Sequence, residues 1–354
     1  MRILLVCIVA LCFLSCKKEL VKNSRDFSKV EINVLLQDSL LNVRALEIDS
    51  KGDFGFASSN GEIGGKVEGW FTDGNLKEGA QKSFQLKHDS LIPNFRSIAI
   101  TKNAGFALSI ATPALLYKID GDSIKLVFKE NHPKVFYDSM EFWNDDEGIA
   151  VGDAIDGCLS IIITRDGGNT WKKLSCDQQP PAIEREGAFA ASDTNIAIVG
   201  NKTWIGTTAG RIFYSDDKGE TWDVIDTPIV KEKDTEGIYS LDFYDEWNGF
   251  AIGGDYTKPA DSSANKMRTQ DGGKTWQLVA ENKSPGYRSC VQYIPNGEGN
   301  ELVAIGFKGI DYSPDAGNTW KHLSDEGFYT IRFLNDSIAY AAGAGRIAKL
   351  TFRE

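Results

Sequence analysis

Along most of its length the chain alternates between short apolar runs and turns of small or polar residues. Seven apolar runs end on a small residue: Gly55-Phe-Ala-Ser-Ser59, Gly105-Phe-Ala-Leu-Ser109, Gly148-Ile-Ala-Val-Gly152, Ile196-Ala-Ile-Val-Gly200, Gly249-Phe-Ala-Ile-Gly253, Leu302-Val-Ala-Ile-Gly306 and Tyr340-Ala-Ala-Gly343. Their ends lie 50, 43, 48, 53, 53 and 37 residues apart. Each follows a segment of alternating pattern: 43–48, 95–100, 137–142, 186–190, 238–243, 287–293 and 328–333. Alternation of this kind reads as β-strand, and few windows carry a helical period. Each repeat reads strand, turn, strand, loop, strand, turn, strand. Four antiparallel strands are one propeller blade.

One turn recurs four times without a mismatch. It is Thr164-Arg-Asp166-Gly-Gly168-Asn-Thr170-Trp171, then Ser215-Asp-Asp217-Lys-Gly219-Glu-Thr221-Trp222, Thr269-Gln-Asp271-Gly-Gly273-Lys-Thr275-Trp276 and Ser313-Pro-Asp315-Ala-Gly317-Asn-Thr319-Trp320. The carboxylate of Asp166, Asp217, Asp271 or Asp315 can accept the backbone N–H groups that such a turn leaves free, and the glycine supplies a positive φ. The pattern resembles the Asp box, or bacterial neuraminidase repeat, whose role is structural. Eroded copies lie near Trp70-Phe-Thr-Asp-Gly74 and Lys118-Ile-Asp-Gly121. The expected fold is all-β: a seven-bladed β-propeller over residues 30–354, with Val30–Leu36 closing the last blade as its outer strand.

The boxes and the apolar runs together resemble the photosystem II assembly and stability factor family, in its non-photosynthetic bacterial branch. That resemblance implies a propeller that acts by binding other proteins. Sialidases and some glucanases also carry the box, so an Asp-box glycoside hydrolase is the alternative. Asp138 and Glu186 are the carboxyl pair to inspect for it, since glycosidases need two carboxyls about 5–10 Å apart. The partial echoes of Phe-Arg-Ile-Pro at Phe95-Arg96 and Tyr287-Arg288 lack the proline.

Residues 1–15 read as a signal peptide of the lipoprotein type, with Arg2 at its start, an apolar run too short to span a bilayer, and Cys16 as the lipidated residue. Residues 16–29 read as a tether. The expected location is the cell envelope, as an outer-membrane lipoprotein facing the periplasm or the cell surface, held to the membrane through the lipid alone. Loss of the signal takes the formal net charge from −11 to −12. So acidic a chain gains nothing from a phosphate backbone, so nucleic acid is not an expected partner. Among the six cysteines, Cys158, Cys176 and Cys290 remain for the folded domain. Cys158 and Cys176 flank one hairpin, either as a disulfide or as two buried thiols.

Propeller topology directs attention to the residues that head the inner strands and converge on the channel mouth: Arg44, Arg96, Asp138, Arg185 with Glu186, Tyr239, Arg288 and Tyr329. Four arginines there form either a cationic site for an acidic group or a set of ion pairs with Asp138, Glu184 and Glu186. A planar guanidinium fork suits a carboxylate. The expected partner is a protein or peptide, or an acidic glycan, met by a monomeric chain. Trp204 and Tyr256 are candidate rim aromatics, and the long loop 253–268 reads as mobile. His88, His132 and His322 lack ligand spacing, so no metal and no cofactor is expected, nor is any catalytic residue assigned.

Overall fold

The computed structural model describes residues 25–66, 82–121 and 123–354. The signal segment, Cys16, most of the tether and the degenerate turn at Trp70–Gly74 lie outside the described residues. Apart from a single 3-10 turn at Cys176–Gln178, every element among them is a strand. No helix among them is long and apolar enough to cross a membrane.

The strands form six hydrogen-bonded sheets. Sheet I has the spatial order Thr330–Phe333, Ile338–Arg353, Lys29–Ile48, Phe54–Ser58, Glu62–Gly65, Lys82–Gln85. Sheet II holds Phe95–Ile100, Gly105–Ser109, Ala114–Asp120 and Ser123–Glu130; sheet III holds Tyr137–Phe142, Gly148–Ile155, Cys158–Thr164 and Lys172–Lys173. Sheet IV holds Ile196–Val199, Lys202–Gly206, Arg211–Ser215 and Asp223–Asp226; sheet V holds Ile238–Phe243, Gly249–Gly253, Lys266–Thr269 and Gln277–Leu278. Sheet VI holds Cys290–Tyr293, Leu302–Gly306, Gly309–Ser313 and Lys321–Ser324. Successive inner strands touch from sheet to sheet and return to sheet I through Thr330–Phe333, so the ring closes on itself and shows a β-propeller of four-stranded antiparallel blades.

The expected count of seven is thereby corrected to six sheets. The segments assigned to a seventh blade do meet: Lys29–Gln37 pairs antiparallel with Arg346–Arg353, and Thr330–Phe333 with Ala339–Ala342. The Phe352 N–H donates to the Ser337 carbonyl, which folds Ile338–Arg353 back on itself. But Lys29–Ile48 continues without a break into Val43–Ile48, which pairs with Phe54–Ser58, and this unbroken strand fuses the last blade to the first. Residues Arg25–Ser28, expected in the tether, already lie against the fold. Phe27 packs 5.1 Å from the Tyr312 ring, and Arg25 Nε donates to Glu301 Oε2 at 2.7 Å.

Six of the seven apolar runs are second strands, sandwiched between neighbouring sheets; the run at Ile196–Val199 is a first strand. Phe54–Ser58, Gly105–Ser109, Gly249–Gly253 and Leu302–Gly306 are buried at every position, whereas the outer strand Asp223–Asp226 is largely exposed. The recurring turn has one hydrogen-bond pattern in all four copies. In the third copy Thr275 N–H and its hydroxyl donate to the two Asp271 oxygens at 2.9 and 2.7 Å, and Gly273 N–H donates to the Thr269 hydroxyl at 2.9 Å. The glycine also serves the neighbouring sheet. Gly168, Gly219, Gly273 and Gly317 all have positive φ. A Cβ on them would collide with Phe106, Ile163, Trp204 and Phe250, each from the preceding sheet. So each turn caps its own hairpin and receives a side chain from the sheet before it.

Cys158 and Cys176 form a disulfide, with Cα atoms 5.3 Å apart, and the buried-thiol alternative falls. The register Ile162↔Lys173 leaves Cys158 one step from Cys176, and the 3-10 turn at Cys176–Gln178 draws the sulfur in. Cys290 is buried and free.

Because the Asp271 carboxylate answers a turn N–H and a hydroxyl, Asp271→Ala is expected to cost about 1–3 kcal/mol of stability. Urea unfolding measures it, and an unchanged midpoint would show the turn to be dispensable.

Candidate functional site

The inner strand expected at 186–190 is absent, and Ile196–Val199 is the inner strand of sheet IV instead. The released segment crosses the central channel and bonds to every other sheet. Ala191 carbonyl accepts from Arg44 Nη1 at 3.0 Å, and Ala190 carbonyl from Arg96 Nη1 at 3.1 Å. Ser192 hydroxyl donates to Ser289 carbonyl at 2.6 Å, and Thr330 hydroxyl donates to Ser192 carbonyl at 2.8 Å. The Asp193 carboxylate accepts from Ile98 N–H at 2.8 Å and from Met140 N–H at 3.2 Å. Thr194 carbonyl accepts from Leu241 N–H at 2.9 Å. Inner-strand N–H groups facing a channel have no partner strand, and a buried donor left alone is costly. Asp193 meets two of them, at the φ of +61° that a short acidic side chain tolerates.

Above this crossing the structure assembles a mouth. Arg44 lies with its guanidinium carbon 4.0 Å from the Tyr329 ring centre, and Arg96 Nε donates to Asn94 Oδ1 at 3.1 Å. Among the described residues neither arginine has a carboxylate within salt-bridge distance. Arg44 Nε is buried with no acceptor at all. Burial, and then the Arg44 charge, pull Arg96 down to about 10, and burial lowers Arg44 as well. Asp138 sits fully buried behind them, pushed well above the usual carboxylate range by burial and by Asp153. Neither of its oxygens makes a well-formed hydrogen bond, although the Ala188 and Ala190 N–H groups lie near enough to favour its charged form. A run of rings borders the mouth. Phe189 stacks on Tyr239 at 3.7 Å, Tyr239 meets Tyr287 edge-on at 4.7 Å, and Tyr256 stands 6.3 Å from Tyr287.

Four sequence candidates go elsewhere. Arg288 turns away from the mouth to a buried pair with Asp311, Nε to Oδ2 at 2.6 Å, because that acid in the third strand of sheet VI needs a counter-charge. Glu186 is buried against Arg211, which donates from Nε at 3.0 Å, and against the Thr207 hydroxyl; it is thus unavailable as a carboxyl paired with Asp138. Arg185 is exposed, 3.6 Å from the exposed Asp234. Trp204 is fully buried in the cup over Gly273, stacked 3.7 Å from Phe243 and donating to Gly272 carbonyl. The one-strand shift in sheet IV moves it from a loop to a second strand. The loop beyond Gly253 holds a local turn in which Asp255 accepts from Thr257 N–H and hydroxyl at 2.9 and 2.6 Å. Sequence reading missed Phe189, Tyr287 and Asp193. Tyr287 was legible as the ring next to Arg288, whereas the crossing had no local signal.

The opposite end of the channel is acidic. Arg332 donates to Glu47 Oε2 at 2.9 Å and to the Asp193 carbonyl at 3.0 Å, and Asp242 accepts from Tyr293 N–H at 2.7 Å. Two cavities of about 430 and 370 Å³ flank Arg332. Burial, then Glu47, push Glu141 up to about 7, and burial pushes Asp242 up to about 6. An acid raised in the folded state binds protons more tightly there than in the unfolded chain. These groups therefore favour the fold at low pH, and that contribution is lost as pH rises from roughly 4 to 7. Glu141→Gln is expected to flatten the decline; melting temperatures across that range test it, and an identical slope in the variant would exclude Glu141 as the source.

No family model matches the chain, and no curated protein matches it. Among solved structures, one described as YCF48 bound to D1 peptide is similar with a TM-score of 0.64 and 14% identity, covering 94% of this chain and 97% of that one. The RRP9 WD40 repeats are similar with a TM-score of 0.60 and 11% identity, covering 93% of this chain and 99% of that one. At such identities the shared feature is the β-propeller fold.

Proposed function

We propose that the chain is a binding propeller that takes a carboxylate-bearing peptide segment of a partner protein at the Arg44–Arg96 mouth. The observation that carries this reading is two adjacent guanidinium groups answered only by carbonyl and amide oxygens, one with a buried N–H that has no acceptor. Two like charges held together in a half-buried site cost stability, and an incoming carboxylate offsets that cost while meeting their planar forks. Phe189 and Tyr329, half-buried and backed by the buried rings of Tyr239 and Tyr287, offer apolar surface beside the charge. Support comes also from the peptide named in the description of the similar YCF48 structure and from the sequence resemblance to the photosystem II assembly and stability factor family. In the same reading the chain is monomeric and tethered by lipid on Cys16, as an outer-membrane lipoprotein facing the periplasm or the cell surface.

Arg44→Ala and Arg96→Ala are expected to leave melting nearly unchanged and to weaken capture of free-acid peptides about tenfold or more. Arg288→Ala is expected to behave in the opposite way, losing roughly 3 kcal/mol because among the described residues buried Asp311 keeps only His322 within ion-pair distance. Fluorescence polarisation with matched free-acid and amidated peptides, beside thermal melts, separates these outcomes. Equal binding by wild type and both mouth variants would refute the site. For the anchor, Cys16→Ala should abolish palmitate labelling, and undiminished labelling would remove the lipid from the picture.

A further inference from the structure

A second concave site lies next to the mouth, on the far side of Tyr287. The Tyr287 ring meets Tyr239 on the mouth side and Phe307 on the other, with centres 5.6 Å apart. Beyond Phe307 opens a cleft of about 590 Å³, with Pro259, Ala260 and Gly286 as its apolar lining and Lys258, Lys308 and His322 on its walls. The cleft is built rather than draped. Tyr287 N–H donates to Pro259 carbonyl at 3.1 Å, Asp261 N–H to Lys258 carbonyl at 2.9 Å, and Asn265 Nδ2 to Gly286 carbonyl at 2.8 Å.

The cations of this cleft divide in two. Arg288 and His322 share Asp311, with His322 Nδ1 2.9 Å from its second oxygen, and His322 Nε2 lies 3.0 Å from Asp325. Lys258 and Lys308 have no carboxylate within salt-bridge distance among the described residues; Lys308 lies only over the Phe307 ring, at 5.9 Å. The acid on the wall, Asp261, accepts from Ser263 N–H at 3.0 Å, which holds its carboxyl below the usual range, and it feels the Lys258 charge only at longer range. In a chain of net charge −11, two lysines without ion pairs flank an apolar cleft whose lining residues Gly286 and Lys308 adjoin Tyr287 and Phe307 in the chain.

We propose that this cleft is a second subsite of the same ligand: an extended peptide with one carboxylate at Arg44 and Arg96 and a second acidic side chain between Lys258 and Lys308, with an apolar residue over Phe307 and Pro259. The proposal rests on the mouth reading above for its ligand class. The chemistry it selects is a segment with two acidic groups spaced by apolar residues, in place of any single carboxylate.

The test uses fluorescein-labelled free-acid peptides in which one glutamate is moved stepwise upstream of the C-terminus, each against its glutamine counterpart. At one spacing glutamate is expected to bind roughly fivefold tighter than glutamine, the scale of exposed ion pairs. Lys258→Ala with Lys308→Ala should erase that gain and leave the glutamine peptides unaffected. A control pair on exposed outer strands, Lys125→Ala with Lys172→Ala, should keep the gain, which separates a site from bulk charge. No gain at any spacing, or a gain that survives the cleft variant, overturns the second subsite while the arginine variants still report on the mouth. If the arginine variants bind normally and the cleft variant does not, the mouth reading fails and the cleft stands alone. Absence of binding by all the peptides overturns both.

Discussion

Six sheets arranged around a channel expose the free edges of their inner strands to one another, and those buried backbone donors must find acceptors. The chain meets this constraint with a single extended crossing, residues 189–194, and much of the rest follows from it. Asp193 links sheets II and III by taking one N–H from each, while Ser192 and Thr194 reach sheets VI, I and V. Sheet IV gives up the strand expected at 186–190 to supply this segment. The crossing also divides the channel into a cationic mouth and an acidic floor. Its Ala190 and Ala191 carbonyls face Arg96 and Arg44 on one side, and the Asp193 carbonyl faces Arg332 on the other.

That division sorts the arginines by what answers them. Arg288, Arg211 and Arg332 each reach a carboxylate and are mostly buried with it, an arrangement whose loss on one side is strongly destabilising. Arg44 and Arg96 meet neutral oxygens and an aromatic face instead. Neutral acceptors satisfy hydrogen bonds without cancelling charge, and Asp138, the acid whose charge acts on Arg96, is itself held toward its neutral form by burial. In the proposed reading binding falls to Arg44 and Arg96, which lie side by side and which the scaffold does not use as ion pairs.

Between sheets, the repeated turn does two jobs with one motif. Its aspartate closes the hairpin, and its glycine leaves room for a side chain of the preceding sheet. The same geometry that hides Trp204 over Gly273 places Phe106 over Gly168 and Phe250 over Gly317. Where the ring closes, two segments distant in sequence take the place of such a turn: Lys29–Gln37 zips onto Arg346–Arg353, with Phe27 packed against Phe352.

The sequence by itself determined what local chemistry controls. Alternation and small-residue turns located the strands. The Asp–Gly–Thr–Trp spacing located the hairpin turns. The hairpin register brought Cys158 near Cys176, and the apolar Val30–Leu36 was legible as a closing strand. Arg44, Arg96, Tyr239 and Tyr329 were legible as residues on or directly before inner strands, because those places follow from strand order. Only the tertiary structure decided the crossing at 189–194, the fusion of first and last blades into one sheet, and the destinations of Arg288, Glu186 and Trp204. Those depend on which acid, base or cavity from a distant repeat lies nearest once the ring has closed. A strand period records which face a residue occupies, but it carries no information about the partner that waits there.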